Sequence, residues 1–139
     1  MVWLILCAKK KLGECSHSEN FLYVCKRKPM KVHLIKLQTI EKYVRRHASS
    51  RSSFELWIVT VKGATWNIPE DILNTFGTAD LLGNGSQRVV FNIGGNHHRM
   101  ICQYAFGASQ VHLFVCWIGT HAAYTELCAN RKQYIISDY

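Results

Sequence analysis

Near Gly77 the spacing of apolar residues changes from that of a helix to that of a strand. Upstream, Leu37, Ile40, Val44 and His47 recur at helical intervals, and Phe54, Trp57, Ile58, Val61 and Ala64 form a second such stripe. Downstream, Val89, Phe91 and Ile93 alternate with other residues, and Gln110 to Ile118 is apolar on both faces, as in a central strand. A chain that places its helices first and its sheet last folds as α+β, with the helices covering one face of an antiparallel meander.

Local signals fix the order of elements. Lys31 to Ile35 reads as a first strand. Two helices follow, separated by a polar break from Ser49 to Ser53 that could cap the second. Asn67-Ile68-Pro69-Glu70 resembles an N-cap with an acidic residue three positions on, heading a short helix to about Phe76. Asp80 to Leu82 is a short strand, and Gly83-Asn84-Gly85 turns the chain. Strands at Arg88 to Ile93, Arg99 to Phe106 and Gln110 to Ile118 come next, then a helix from His121 to about Arg131. Thr120 stands where an N-cap belongs.

At 139 residues the chain is large enough for one domain with a full core. Residues 1–29 differ from the rest, with three cysteines, clustered lysines and no sustained period. We expect two units: an N-terminal extension over 1–29, with Met30 as the native start or 1–29 as a dispensable appendage, and a domain over 30–139. Net charge is +8, divided equally between 1–29 and 30–139. A basic domain without a charge block suits a polyanionic partner.

The six cysteines are Cys7, Cys15, Cys25, Cys102, Cys116 and Cys128. Cys102 and Cys116 sit inside strand patterns, where a free thiol behaves as a small apolar residue. Val2 to Ala8 precedes Lys9-Lys10-Lys11, the reverse of a secretory leader, so a reducing cytosol is the expected location. Cys7, Cys15, His17 and Cys25 lack the close C-x2–4-C pair of a zinc site. Apolar runs are too short to span a membrane.

Two segments carry groups with chemical potential. Phe91-Asn92-Ile93-Gly94-Gly95-Asn96-His97-His98-Arg99 reads as a strand, a tight Gly-Gly-Asn turn and a second strand opening His-His-Arg. Gly119-Thr120-His121-Ala122-Ala123-Tyr124 ends a strand and begins the last helix. Together they can bring an arginine, a histidine and a tyrosine to one RNA phosphate. The planar guanidinium of Arg99 matches two phosphate oxygens, although an arginine at a strand end also pairs with carboxylates. His121 falls at the first helical position, where the helix dipole disfavours an extra proton and leaves an imidazole able to act as a base. Tyr124 shares its helix face and could orient RNA, stack on a base, donate a proton or anchor the helix. His97 and His98 are expected on opposite faces of their strand, one of them facing the RNA. Asn92 and Asn96 suit turn geometry. Arg45, Arg46, Arg51 and Lys62 could follow phosphates or form a solvated helical surface. Trp57 lies on an apolar stripe and, with Trp66, is expected in the core.

The Gly-Gly-Asn-x-x-Arg and Thr-His-x-x-Tyr blocks resemble the matching segments of HigB-type toxins of the RelE/ParE superfamily, and the resemblance runs from Met30 through most of the chain. It implies a RelE-like meander with N-terminal helices on one face and a short C-terminal helix. It also implies a ribosome-dependent mRNA endonuclease that needs no metal or other cofactor. Its partners would be mRNA on the ribosome and a HigA-type helix-turn-helix antitoxin, with no membrane. Arg99, His121, Tyr124 and His98 would be catalytic; Arg45, Arg46, Lys62 and His97 would contact RNA. The chain departs from the family pattern at His97-His98, where a lysine-tyrosine pair is common. It departs again at Ala123 and Thr125, where acidic residues are expected, which removes a capping box worth ~1 kcal/mol or less. The alternative implied by these departures is a non-catalytic RelE/ParE-fold protein that acts by binding a partner such as gyrase.

Overall fold

The computed structural model describes residues 28–139. Strand β1 (Met30–Ile35) leads into helix α1 (Leu37–Arg46), and a 3-10 turn at Ala48–Ser50 runs directly into α2 (Arg51–Gly63). Strand β2 (Thr65–Trp66) and helix α3 (Glu70–Thr75) precede β3 (Asp80–Leu82), β4 (Arg88–Ile93), β5 (His98–Phe106) and β6 (Gln110–Thr120), and α4 (His121–Ala129) ends the set. Of the expected 1–29 unit only residues 28 and 29 are described, and the Cys7, Cys15, His17 and Cys25 constellation lies outside the described residues.

The strands form one sheet in the order β2-β1-β6-β5-β4-β3. From β3 to β6 it is the expected antiparallel meander. The sheet as a whole is mixed, because β1 lies parallel to β6, Lys31 opposite Gln110 through Ile35 opposite Phe114. The β5 partner already occupies one side of β6, so β1 takes the other, and the meander is extended rather than closed. The two-residue β2, absent from the periodicity, pairs Met30 with Trp66.

Helices α1 to α3 cover one face. Ile40, Tyr43 and Val44 of α1, Phe54, Trp57 and Val61 of α2, and Ile72 of α3 pack on Val89, Phe91, Ile93, Met100, Val111, Leu113 and Val115 of the sheet. Trp57 meets Phe91 edge-on at 5.1 Å, and Phe76 meets the same ring at 5.0 Å. Trp66 is fully buried and donates its indole N–H to Thr75 Oγ1 at 2.8 Å. Both tryptophans are therefore core residues, and burying such large rings contributes on the order of 2–3 kcal/mol each.

Two cap expectations are corrected. The carboxylate that turns back at the start of α3 is Asp71, which accepts from the backbone N–H of Asn67 at 2.7 Å and of Ile68 at 3.1 Å, and Pro69 occupies the cap position. At α2 no serine side chain caps the helix; the Ser50 hydroxyl donates backward to the His47 carbonyl at 2.6 Å.

The other face of the sheet holds a smaller core of Val90, Ile101, Cys116, Trp117 and Leu127, with Leu82, Tyr124 and Ile136 against it. Helix α4 and the segment after it therefore pack on the side opposite α1 to α3. Strand β6 supplies two consecutive residues to this core because it is bulged: Ile101 pairs with Trp117 and Cys102 with Val115, leaving Cys116 unpaired. Cys102, Cys116 and Cys128 are free thiols. Arg88 is buried and donates to the carbonyls of Gln133 at 3.3 Å and Ile136 at 2.6 Å, and Asp138 N–H donates to the Cys116 carbonyl at 2.9 Å. Lys36 Nζ donates to the carbonyl of Tyr139, so the last residues pass around β6 beyond the end of β1. Among the described residues no helix is long and apolar enough to cross a membrane.

Candidate active site

The β4–β5 turn and the start of α4 form one structural unit. Gly94 and Gly95 adopt φ of 64° and 68°, a left-handed conformation that suits glycine. Gly94 also lies against α2, where a Cβ would come 3.2 Å from the Ser53 hydroxyl. His97 N–H donates to the Gly94 carbonyl at 3.3 Å and so closes a four-residue loop. The second strand begins at His98, opposite Ile93, and not at His97. The His97 carbonyl then accepts from the backbone N–H of His121 at 3.1 Å, which ties the turn to the first residue of α4.

The cap expected at Thr120 is present: its hydroxyl accepts from Ala123 N–H at 3.2 Å. With no acidic residue at position 123, this is the side-chain bond that closes the helix start. Thr125 uses its hydroxyl to donate back to the His121 carbonyl at 3.1 Å. Thr120 lies opposite His98 in the sheet, and Gly119 opposite Arg99. In chain order Arg99 follows His98 and His121 follows Thr120, so this pair joins the two segments that carry them.

Arg99 is 8% exposed and projects toward the face that carries α4. Its guanidinium donates to the His98 carbonyl at 3.1 Å and to Asn96 Oδ1 at 3.1 Å. Both acceptors are neutral, so the charge is oriented without being neutralised. Asn96, expected to serve the turn alone, is thus a partner of the arginine.

Tyr124 is half-buried beside the Trp117 ring, at 6.1 Å between centroids. Its phenol is pushed well above the ordinary range, first by burial, then by its hydrogen bond with Cys128 and by the nearby Asp80 carboxylate; Arg99 acts in the opposite sense. A phenol held protonated in this way can donate a hydrogen bond but is a poor proton donor in catalysis.

His97 and His121 are exposed at the junction of turn and helix. His98 is not with them: strand alternation turns it to the α1 face, where it is 9% exposed and its Nδ1 lies 2.9 Å from the Tyr43 hydroxyl. Burial, followed by the neighbouring His47 and His97, lowers its pKa. The site thus gathers Asn96, His97, Arg99, His121 and Tyr124, and places His98 behind the sheet.

The cationic residues of the helices are dispersed. Arg45 and Arg46 are exposed in the last turn of α1, where they complement the helix dipole. Arg51 is exposed at the start of α2, the end that meets Gly94 through Ser53. Lys62 lies about 16 Å beyond Arg51 along the same helix, from a rise of about 1.5 Å per residue, and stands apart from the turn. Among the described residues no group of three or more His, Cys, Asp or Glu could hold a metal ion.

Two neighbours of the site were not singled out from sequence. Trp117 forms the wall beside Tyr124, and Gly119 leaves the space that its indole fills. The available signal was a glycine inside an otherwise bulky strand. Comparison with known families gives a match over residues 50–127, more than half the chain, to a family described as HigB_toxin, RelE-like toxic component of a toxin-antitoxin system. No curated protein matches the chain.

Proposed function

The chain belongs to the HigB toxin family, the RelE-like toxic components of toxin–antitoxin systems, and from that premise we propose that it is a ribosome-dependent mRNA endonuclease. As a member of such a family it has an antitoxin as partner. We assign that antitoxin to the HigA-type helix-turn-helix class, and the site of action to the cytosol.

The proposed reaction is attack by a ribose 2′-oxygen on the adjacent phosphorus. The 2′-O–P bond forms, the P–O5′ bond breaks, and the products are a 2′,3′-cyclic phosphate and a 5′-hydroxyl. His121 takes the 2′-hydroxyl proton, Arg99 binds the charged non-bridging oxygens, and His97 gives a proton to the leaving 5′-oxygen. Tyr124, holding its own proton, orients the RNA by a hydrogen bond or by its ring. Arg45, Arg46 and Arg51 contact phosphates further along the strand, and Lys62 contributes only if the RNA follows α2. The chemistry calls for side chains and no cofactor.

One observation carries this reading: Arg99 is held in place by two neutral oxygens, next to a turn whose exposed His97 is joined through its carbonyl to the backbone of the exposed His121. The test is to add the purified protein to translating ribosomes and mRNA, and to map new 5′ ends by primer extension, with His121→Ala and a ribosome-free reaction alongside. Ribosome-dependent cuts that disappear in the variant support the assignment. Growth arrest without any cut would instead favour a toxin that acts by binding a partner, as Ala123 and Thr125 at usually acidic positions also suggest.

A further inference from the structure

We propose that Tyr43 is a positioning residue: by one hydrogen bond to the imidazole of His98 it fixes the backbone from which both Arg99 and His121 project. The inference rests on the roles given to those two residues above.

Tyr43 lies on the buried side of α1, on the face of the sheet away from Arg99. Its hydroxyl and His98 Nδ1 are 2.9 Å apart in a buried contact between residues 55 positions apart in sequence. Burial, and next the nearby Tyr139, raise the Tyr43 phenol, so it keeps its proton. In the proposed arrangement the hydroxyl donates and Nδ1 accepts, which places the ring hydrogen of a neutral His98 on Nε2.

The imidazole is enclosed by rings. His47 stacks on Tyr43 at 4.1 Å and meets His98 edge-on at 5.9 Å. Phe54 lies 6.2 Å from His98 and 5.7 Å from Tyr43. His47 is itself secured, with Nδ1 3.2 Å from the Tyr43 carbonyl. Packing restricts the ring, and the Tyr43 hydroxyl selects one orientation of it.

His98 is the point where this constraint reaches the site. Its carbonyl accepts from the Arg99 guanidinium at 3.1 Å, and its backbone pairs with Thr120, whose hydroxyl caps α4 immediately before His121. A rotation of the His98 peptide would move the acceptor that aims Arg99 and also the strand partner of the α4 cap. His98 therefore acts from behind the sheet, through its backbone, and not as a proton donor to RNA.

The test is Tyr43→Phe in the full-length protein, which removes one oxygen and keeps the ring. Ile40→Val serves as control, since it trims the same buried face of α1 and keeps the Tyr43 hydroxyl. In wild type, long-range 1H–15N spectra show His98 as the Nε2–H tautomer with a hydrogen-bonded Nδ1. In Tyr43→Phe the Nδ1 signal moves to that of a free acceptor. Nitrogen relaxation at Arg99 Nε shows greater motion, and His121 amide exchange accelerates roughly three- to tenfold, the worth of one neutral hydrogen bond. The turnover of ribosome-dependent cleavage falls by a similar factor with the KM for ribosomes unchanged. Ile40→Val moves none of these. If Arg99 order and His121 exchange in Tyr43→Phe equal those of wild type, or if Ile40→Val matches Tyr43→Phe, the positioning role is overturned. These two readouts need no substrate. A wild-type protein that fails to cut RNA would therefore sink the endonuclease reading and still leave the Tyr43 linkage to be decided.

Discussion

The six-membered ring of Trp117 occupies the space that a side chain at Gly119 would need. A Cβ at that glycine would overlap Cζ2 and Cη2 of the indole. Two residues apart on one strand, they lie on the same face, and the missing side chain lets the ring settle beside Arg99's strand partner. Gly119→Ala is expected to force the ring aside and cost ~1–3 kcal/mol, seen as a lower urea midpoint at unchanged slope. Gly63→Ala, with nothing near its Cβ, should be neutral or slightly stabilising. Equal midpoints for Gly119→Ala and wild type would contradict the close fit.

Substitution at the proposed catalytic groups should separate activity from folding. Arg99→Lys keeps the charge and loses the planar fork, so turnover should drop on the order of 10²-fold. His121→Ala removes an exposed side chain and should cut turnover by ~10²–10⁴-fold while changing stability by less than about 0.5 kcal/mol. Single-turnover cleavage and urea denaturation, run on the same samples, provide both measurements. Wild-type cleavage by Arg99→Lys would remove the bidentate role.

The lowered pKa of His98 makes stability depend on pH. A histidine that resists protonation in the fold contributes its full share above the unfolded value near 6.5, and loses it as pH falls through that value toward the folded one. Unfolding free energy should therefore decline from pH 7 to pH 5. His98→Gln, which cannot titrate, should show a shallower decline despite the retained His47 and His97. Parallel slopes for the two proteins would mean that another group sets the acid sensitivity.

Arg88 holds the segment after α4 through carbonyls alone. Arg88→Met keeps the apolar stem and removes the donors, so the loss should be ~1.5–3 kcal/mol, the range for hydrogen bonds from a charged group. Exchange of the Asp138 amide should accelerate in the same variant as its contact with Cys116 loosens. An unaltered Asp138 amide would show that the segment is held without Arg88.

Much of this architecture is written in local pattern. Alternation marks β4, a run apolar on both faces marks β6, the helical stripes mark α1 and α2, and Thr120 marks the start of α4 in both sequence and structure. What local pattern missed depends on contacts between distant residues. The parallel pairing of β1 with β6 follows from which side of a strand remains open, which no window of sequence reports. Neighbouring strand residues face opposite sides, so His98 and Arg99 cannot share one: Arg99 turns toward α4 and His98 toward Tyr43, a division that a motif read as one string does not show. Asn96 reads as a turn residue because its second task, holding Arg99, requires the folded hairpin.

Cys116 is the one residue of β6 that strand pairing does not use. With Val115 facing the core under α1 to α3 and Trp117 facing the core under α4, the bulge absorbs an extra residue without turning the strand over. Elsewhere in β6, loss of a single residue would exchange the two faces and place apolar side chains on the wrong cores. Loss of Cys116 itself would join Val115 to Trp117 in an unbroken alternation. The length of the central strand can therefore drift at this one position, and the carbonyl that Asp138 uses belongs to the residue most easily spared.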